Sequence, residues 1–327
     1  DEKWSTFLTL EDEALVERIE RLVQHLSETP VVDCAIGLQK VATNIAALFA
    51  GETEALDILL ADDTLYKLYV VTDACDRSQF IQHLAHTKPN LRILEIGAGT
   101  GATTASILKL LRLPGSTGSG GTPSLFSKYT YTDISSGFFV TAKDRFSGES
   151  NIEYRTLDIS KDPSDQGFDG EKYDLILATN VLHATNYLRE TLRNVHKLLD
   201  PNGRLLLHEL NSPSKWPNFI FGTLAGWWYG GPDGRPDEPC VSPARWELEL
   251  KGAGFAGLDA VVLDGEQPHQ LNAIMVAKPR VDDGTNQKKP VSLLCDPRDD
   301  SYADSLSRQL SSRGYEVQTF RLGDELP

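Results

Sequence analysis

Three sets of residues in this 327-residue chain have the types and spacing to do chemistry. The first is Leu91–Gly101, an apolar run that carries Glu95 and ends in the alternating glycines Gly97, Gly99 and Gly101. It reads as a buried strand breaking into a tight ligand-binding turn. Glycine serves where the backbone needs positive φ or lies against a ligand with no Cβ between them. The helix-forming run after Thr100 aims free N–H groups at the same place. A nucleotide cofactor is expected there. Gly97-x-Gly99-x-x-Ala102 also fits the dinucleotide fingerprint, so the glycines alone leave a dehydrogenase and a methyltransferase almost level. Glu95 tilts the balance: an acid would repel a pyrophosphate, but would hydrogen-bond the ammonium of S-adenosylmethionine while the helix N-terminus faces its carboxylate. The plainer alternative is that Glu95 only closes a strand end.

The second set lies at the ends of the next strands. Asp133 is placed to accept the two ribose hydroxyls, and Asp158 to meet an adenine amino group, because ligands of such sheets bind at the carboxyl ends of the strands. Ile134, Ile159 and Asn180 adjoin these ends and complete the expected cofactor contacts. Either aspartate alone is equally well an ordinary turn residue; three acids at three successive strand ends are a stronger pattern. The chain contains no Tyr-x-x-x-Lys pair, which weakens a short-chain reductase.

The third set is a base and its partner. His183 follows the fourth strand and Glu209 lies near the end of the fifth, so the two are expected to meet beside the methyl donor. An acceptor that is a weak acid must lose a proton as it attacks. Neutral imidazole suits that task, and a carboxylate would fix its tautomer and stabilise the imidazolium. His208 precedes Glu209 on the same strand and therefore faces the other way. The remaining histidines of the seven have no matching partner in the pattern. The aromatic stretch Trp216–Tyr229, with Trp227 and Trp228, is placed to wall an acyl pocket or to pack on helices. Tyr66 and Tyr69 reach the same region from the N-terminal side.

The elements that must position these residues are legible as a change of period. Residues 11–29 and 38–49 repeat apolar positions at helical spacing, the first after a Thr9-x-x-Asp12 capping signal, and 54–71 and 78–86 look helical too. From Leu91 onward, short β-rich runs at 91–97, 128–134, 152–159, 173–180 and 203–210 alternate with helical ones. This predicts a mainly parallel α/β sheet covered on both faces. The runs 257–263 and 270–277 are too close for a crossover helix and read as an antiparallel hairpin at the sheet edge. Residues 113–124 have the Gly, Ser, Thr and Pro composition of a surface loop, and 282–289 that of a linker. The division expected is a helical subdomain at 1–90, a cofactor-binding core at 91–279, and a linker with the start of another α/β domain at 280–327.

Composition sets the outer limits. The net charge of −15 would repel phosphate backbones, so no nucleic acid is expected as partner. No apolar stretch is expected to cross a bilayer, and no membrane association is foreseen. The four cysteines are far apart without a CxxC pair, so neither a metal site nor a disulfide framework is expected, and a cytoplasmic location is the default. The lone methionine is Met275, so the chain reads as a piece of a longer polypeptide. Arg189, Arg193 and Lys197 recur every four residues, as a solvated face or a small basic stripe.

The quoted residues resemble the C-methyltransferase domain of fungal highly reducing iterative type I polyketide synthases. The resemblance extends from about Leu60 to Pro279 and rests on Leu91–Gly101, Tyr131–Phe139, Ala178–Thr185, Leu206–Leu210 and Gly226–Trp228. It implies a seven-stranded, mostly parallel methyltransferase (Rossmann-like) sheet with an antiparallel edge hairpin and an N-terminal helical lid. It further implies methylation by S-adenosylmethionine of the α-carbon of a β-ketoacyl thioester on the phosphopantetheine arm of acyl carrier protein. The family's His-Glu dyad falls on His183 and Glu209, other domains of the same synthase chain are implied as partners, and a structural ketoreductase-like half would follow the domain. An O-methyltransferase of small molecules and a silent scaffold domain remain the competing readings.

Overall fold

Alternating apolar strands and amphipathic helices have one economical solution, a sheet with both faces covered, and this chain adopts it. The computed structural model describes residues 12–73, 75–112, 124–267, 269–280, 289–296 and 300–321. The expected capping signal at Thr9, the loop at 113–123 and most of the linker lie outside them. The chain divides into two units, Asp1–Arg280 and Val281–Pro327.

In the first unit the helices α1 (Asp12–Leu26), α2 (Val32–Ala50), α3 (Ala55–Leu60), α4 (Thr64–Thr72) and α5 (Ser78–Thr87) precede the sheet. The single helix expected over 54–71 is broken, because Asp62 and Asp63 both take φ of 57°. Aspartate tolerates this left-handed conformation better than most residues, and two of them in succession end a helix and restart it at a new angle. Among the described residues, one helix meets the requirement for a membrane span by length and composition alone. α2 has 19 residues and a mean hydropathy of 1.2, long and apolar enough by length and composition to cross a bilayer. In the fold its Val41 lies in a cluster with Leu59, Leu65, Leu68, Leu210, Ile220, Phe221 and Trp227.

The strands β1 (Leu91–Ile96), β2 (Phe126–Asp133), β3 (Ile152–Thr156), β4 (Tyr173–Thr179), β5 (Leu199–Leu210), β6 (Phe255–Leu263) and β7 (Asn272–Pro279) form a seven-stranded sheet in the order β3-β2-β1-β4-β5-β7-β6. Only β7 runs antiparallel to its neighbours β5 and β6, so the hairpin expected at the edge is there, with its second strand inserted inside its first. Burial explains the order: Asn272–Ala277 is buried throughout, whereas the last five residues of β6 are exposed.

Between the strands run α6 (Ala102–Leu110), α7 (Phe139–Arg145), α8 (Leu188–Leu198), α9 (Trp216–Phe221) and α10 (Pro243–Gly252). Residues adjacent in β1 enter opposite cores. Ile93 packs with Tyr129, Tyr131 and Leu206 on one face, and Leu94 with Leu192, Trp246 and Phe255 on the other. α8 shows why such helices form: Leu188, Leu192, Val195 and Leu198 are buried at three-and-four spacing. Each such side chain contributes about 1.5–3 kcal/mol of burial. Its basic residues are partly engaged, with Arg189 bonded to Glu249 at 2.8 Å and Lys197 to Asp162 at 2.6 Å.

The second unit contains β8 (Lys289–Cys295), α11 (Asp300–Ser312) and β9 (Tyr315–Arg321), with β8 and β9 parallel. The strand and helix expected after Val291 are present, and the second strand was not foreseen.

Candidate active site

The parallel strands β1, β2 and β4 end at one edge of the sheet, and β5 brings Glu209 to the same edge. Three cavities open there. A cavity of about 170 Å³ is lined by Glu95, Gly97, Gly99, Thr100, Asp133, Asn180 and Tyr69, among others. A second, of about 120 Å³, is lined by Tyr69, Asn180, His183, Leu210, Phe221 and Trp227. A wider cleft of about 820 Å³ holds Asp133, Ile134, Asp158, Ile159 and Tyr187. The first and third share Gly97, Asp133 and Val181; Tyr69 and Asn180 line both the first and the second.

The glycine loop is built by its geometry. Gly97, Gly99 and Gly101 all have positive φ, and a Cβ at Gly97 would stand 2.3 Å from Cγ2 of Val181. Asp133 ties the loop to β2: Oδ2 accepts the Gly99 N–H at 3.0 Å and Oδ1 the Ser135 N–H at 2.9 Å. Burial raises the Asp133 carboxyl above its ordinary range, against those backbone bonds. Glu95 is 2% exposed and receives Thr104 and Tyr129 hydroxyls, each at 2.6 Å, on Oε2. Burial pushes its carboxyl up to about 7 despite these bonds. Such a group stays charged most readily when a cation arrives beside it.

His183 and Glu209 are brought together. Nδ1 of the imidazole lies 2.5 Å from Oε2 of Glu209, and Oε1 accepts the backbone N–H groups of Leu182 at 3.0 Å and His183 at 3.4 Å. With the carboxylate on Nδ1, that nitrogen carries the proton and Nε2 is the one left to accept another. The imidazole packs edge-on against Trp227, centroids 5.3 Å apart, and Trp227 stacks on Phe221. The arrangement is a buried, oriented imidazole in a largely apolar pocket next to an acid-lined cavity.

Known proteins resemble this chain in sequence and fold. The family described as "Methyltransferase domain" matches residues 94–205. A highly reducing polyketide synthase of a Fusarium species is 46% identical over 97% of the chain, which spans 12% of that synthase. The methyltransferase calH of Penicillium decumbens is 42% identical over 82% of the chain and 71% of its own length. The crystal structure of CalH, a trans-methyltransferase in complex with SAH, superposes with a TM-score of 0.77, covering 83% of this chain and 74% of that one. The CurJ carbon methyltransferase does so at 0.69 with 29% identity, covering 82% and 71%. The chain belongs to the polyketide C-methyltransferases.

Family membership makes S-adenosylmethionine the methyl donor, and the residues fit it. Thr100 Oγ1 and Asn180 Oδ1 are buried without a hydrogen-bond partner among the described residues, and both residues line the first cavity. Glu95 and Asp133 line the same cavity. Asn180 holds φ of 52° and donates its N–H to the His208 carbonyl at 2.7 Å, which turns the chain from β4 into the His183 turn.

Other sequence-derived candidates in this C-methyltransferase lie differently. Gly101 does not line the cavity; a Cβ there would meet the Phe146 ring at 3.0 Å, so this glycine serves packing at the start of α6. Tyr66 lies under the Arg145 guanidinium at 4.2 Å, while Arg145 donates to the Thr100 carbonyl at 2.6 Å, so it supports the loop from the rim. Tyr69 is the tyrosine that lines both inner cavities; burial and then Asp133 raise its phenol to about 12. Trp228 is 46% exposed and donates to the Gly222 carbonyl at 2.8 Å, outside the cavities. Asp158 borders the wide cleft, with Ser160 at 2.5 Å and Lys161 at 3.0 Å; these contacts outweigh burial and hold it below its ordinary range. His208 faces away from the dyad, with Arg77 at 3.1 Å and Asp73 at 3.4 Å. Sequence reasoning missed Thr104 and Tyr129 beside Glu95, and Arg235 behind His183. Tyr129, two residues into the second strand run and on the face of Glu95, carried a usable signal; Arg235 carried none.

Proposed function

We propose that the domain methylates the α-carbon of a β-ketoacyl thioester held on the phosphopantetheine arm of an acyl carrier protein, with His183 as general base and Glu209 as its orienting partner. The observation that carries this reading is the Nδ1–Oε2 contact of 2.5 Å, which leaves Nε2 free in a cavity adjoining the glycine loop. A proton between a ketone and a thioester is acidic enough for imidazole to remove. Nε2 takes it, Glu209 stabilises the resulting imidazolium, and the electron pair left on the α-carbon makes that carbon the nucleophile. S-adenosylmethionine, when bound, supplies the electrophilic methyl group. Glu95, Gly97, Gly99, Thr100, Asp133, Ile134, Asn180, Asp158 and Ile159 are the residues proposed to hold it, and Tyr69 and Trp227 those proposed to shape the acyl pocket.

The wider context belongs to the same proposal. Residues 1–90 act as the lid, 91–279 as the methyltransferase core, and 280–327 as the link to a further synthase domain, with the cytoplasm as the compartment. Incubation with methyl-labelled S-adenosylmethionine and a small panel of β-ketoacyl thioesters tests the reading. Mass spectrometry is expected to place the label on the α-carbon; label on oxygen, or none on any member of the panel, would overturn it.

A further inference from the structure

His183 lies on the single turn Leu182–Ala184, too short to hold its own shape by internal hydrogen bonds. The turn is tied from two sides. Glu209 takes the N–H groups of Leu182 and His183, as described. From the opposite side comes Arg235, 5% exposed, whose Nη1 donates to the His183 carbonyl at 2.6 Å and whose Nη2 donates to the Thr185 carbonyl at 2.6 Å. Nη1 also reaches the Pro239 carbonyl at 3.0 Å, and Nε donates to Asp233 at 3.2 Å. Asp233 in turn accepts the Leu188 N–H at 3.3 Å, at the start of α8.

The guanidinium is thus a buried fork across two carbonyls, one within the His183 turn and one just after it. Desolvating it is costly, and a packing role alone would be met as well by an apolar side chain. Its site is also kept clear: a Cβ on Gly230 would stand 2.7 Å from Cζ of Arg235.

We propose that Arg235 is a positioning residue for His183: it fixes the backbone of the catalytic turn while Glu209 fixes the ring, so that Nε2 meets the α-carbon proton. This rests on His183 acting as the base. Arg235 touches no reacting atom in this scheme. Lysine keeps the charge but loses the fork, so charge and geometry are separable.

The test compares Arg235→Lys, Arg235→Gln and Gly230→Ala with His183→Ala, using a β-ketoacyl thioester and S-adenosylmethionine. Each of the first three is expected to lower kcat roughly ten- to hundredfold, the scale of a misplaced catalytic group. The KM for the thioester and the Kd for S-adenosylmethionine should stay within about twofold, because Arg235 itself lines none of the three cavities. A merely structural role would instead weaken binding and folded yield together, and that outcome overturns the proposal. So does wild-type kcat in a folded Arg235→Lys or Arg235→Gln. Should both Arg235 variants fail to fold, Gly230→Ala decides by the same criterion. If His183→Ala retains wild-type activity, the general-base reading fails first; if it is inactive while the Arg235 variants are not, only the positioning role fails.

Discussion

Glu95 is the residue whose titration the fold changes most usefully. Its folded value of about 7 lies above that of an exposed glutamate, so in the free protein the carboxyl is protonated over much of the acid range. The sign follows: without ligand, folding is favoured most below the ordinary carboxylate range, and this advantage is lost as pH rises toward 7. A ligand ammonium selects the ionised form, so S-adenosylmethionine affinity should increase about tenfold per pH unit below 7 and level off above it. Calorimetry between pH 5.5 and 8 checks this, and Glu95→Gln should flatten the profile. A profile already flat in the unchanged protein would remove Glu95 from the cofactor's ammonium. At the same scale, Trp227→Leu removes the edge-on contact with His183 and the stack on Phe221. It should raise the KM for the acyl thioester while leaving cofactor affinity intact; steady-state kinetics with varied thioester reads the difference. Positions such as Glu95, Asp133, His183 and Glu209 were legible in the sequence because a strand end fixes where its last side chains go. Arg235 was not, since the His183 and Thr185 carbonyls it holds lie about fifty residues away and chain pattern says nothing of loops that meet in space. The adjacent Trp227 and Trp228 show the same limit: one short turn sends them to opposite environments.

Elements set the positions of these residues through a few tight contacts. Gly97 joins β1 to the turn carrying Val181, and its φ of 63° with a blocked Cβ position permits no side chain there. Gly97→Ala should destabilise the domain by about 1–3 kcal/mol, from left-handed strain plus overlap with Val181. Adding Val181→Ala should recover the overlap part but not the strain, so the two changes will not be additive in chemical denaturation. Equal stability of Gly97→Ala and the unchanged protein would contradict the close approach of the two loops. The strands and the amphipathic helix α8 were legible because period and burial agree in them. The break at Asp62–Asp63 was not, because apolar spacing continues across it while the backbone does not. The insertion of β7 between β5 and β6 was likewise hidden: both runs are apolar, and only their burial tells which is inside.

At the scale of the molecule, the sheet order gathers the glycine loop, two acids and the dyad at one edge, and the cavities there share their walls. The net charge of −15 bears on the proposed partner. An acidic carrier protein would be repelled by it, and two of the three basic residues along α8 are already bonded to acids. Screening should then help encounter: the KM for carrier-bound substrate should fall as ionic strength rises from about 0.01 to 0.15 M, where the Debye length shrinks from about 30 to 8 Å. The KM for a short thioester mimic should not move. A rise for the carrier-bound substrate would instead reveal a basic docking surface. The central claim is that His183 removes the α-proton. Its most direct test is the single-turnover rate of methyl transfer to a carrier-bound β-ketoacyl thioester by His183→Ala, with S-adenosylmethionine binding verified in the same preparation. A loss of about a hundred- to ten-thousandfold with binding intact is expected; a near wild-type rate would exclude His183 as the base.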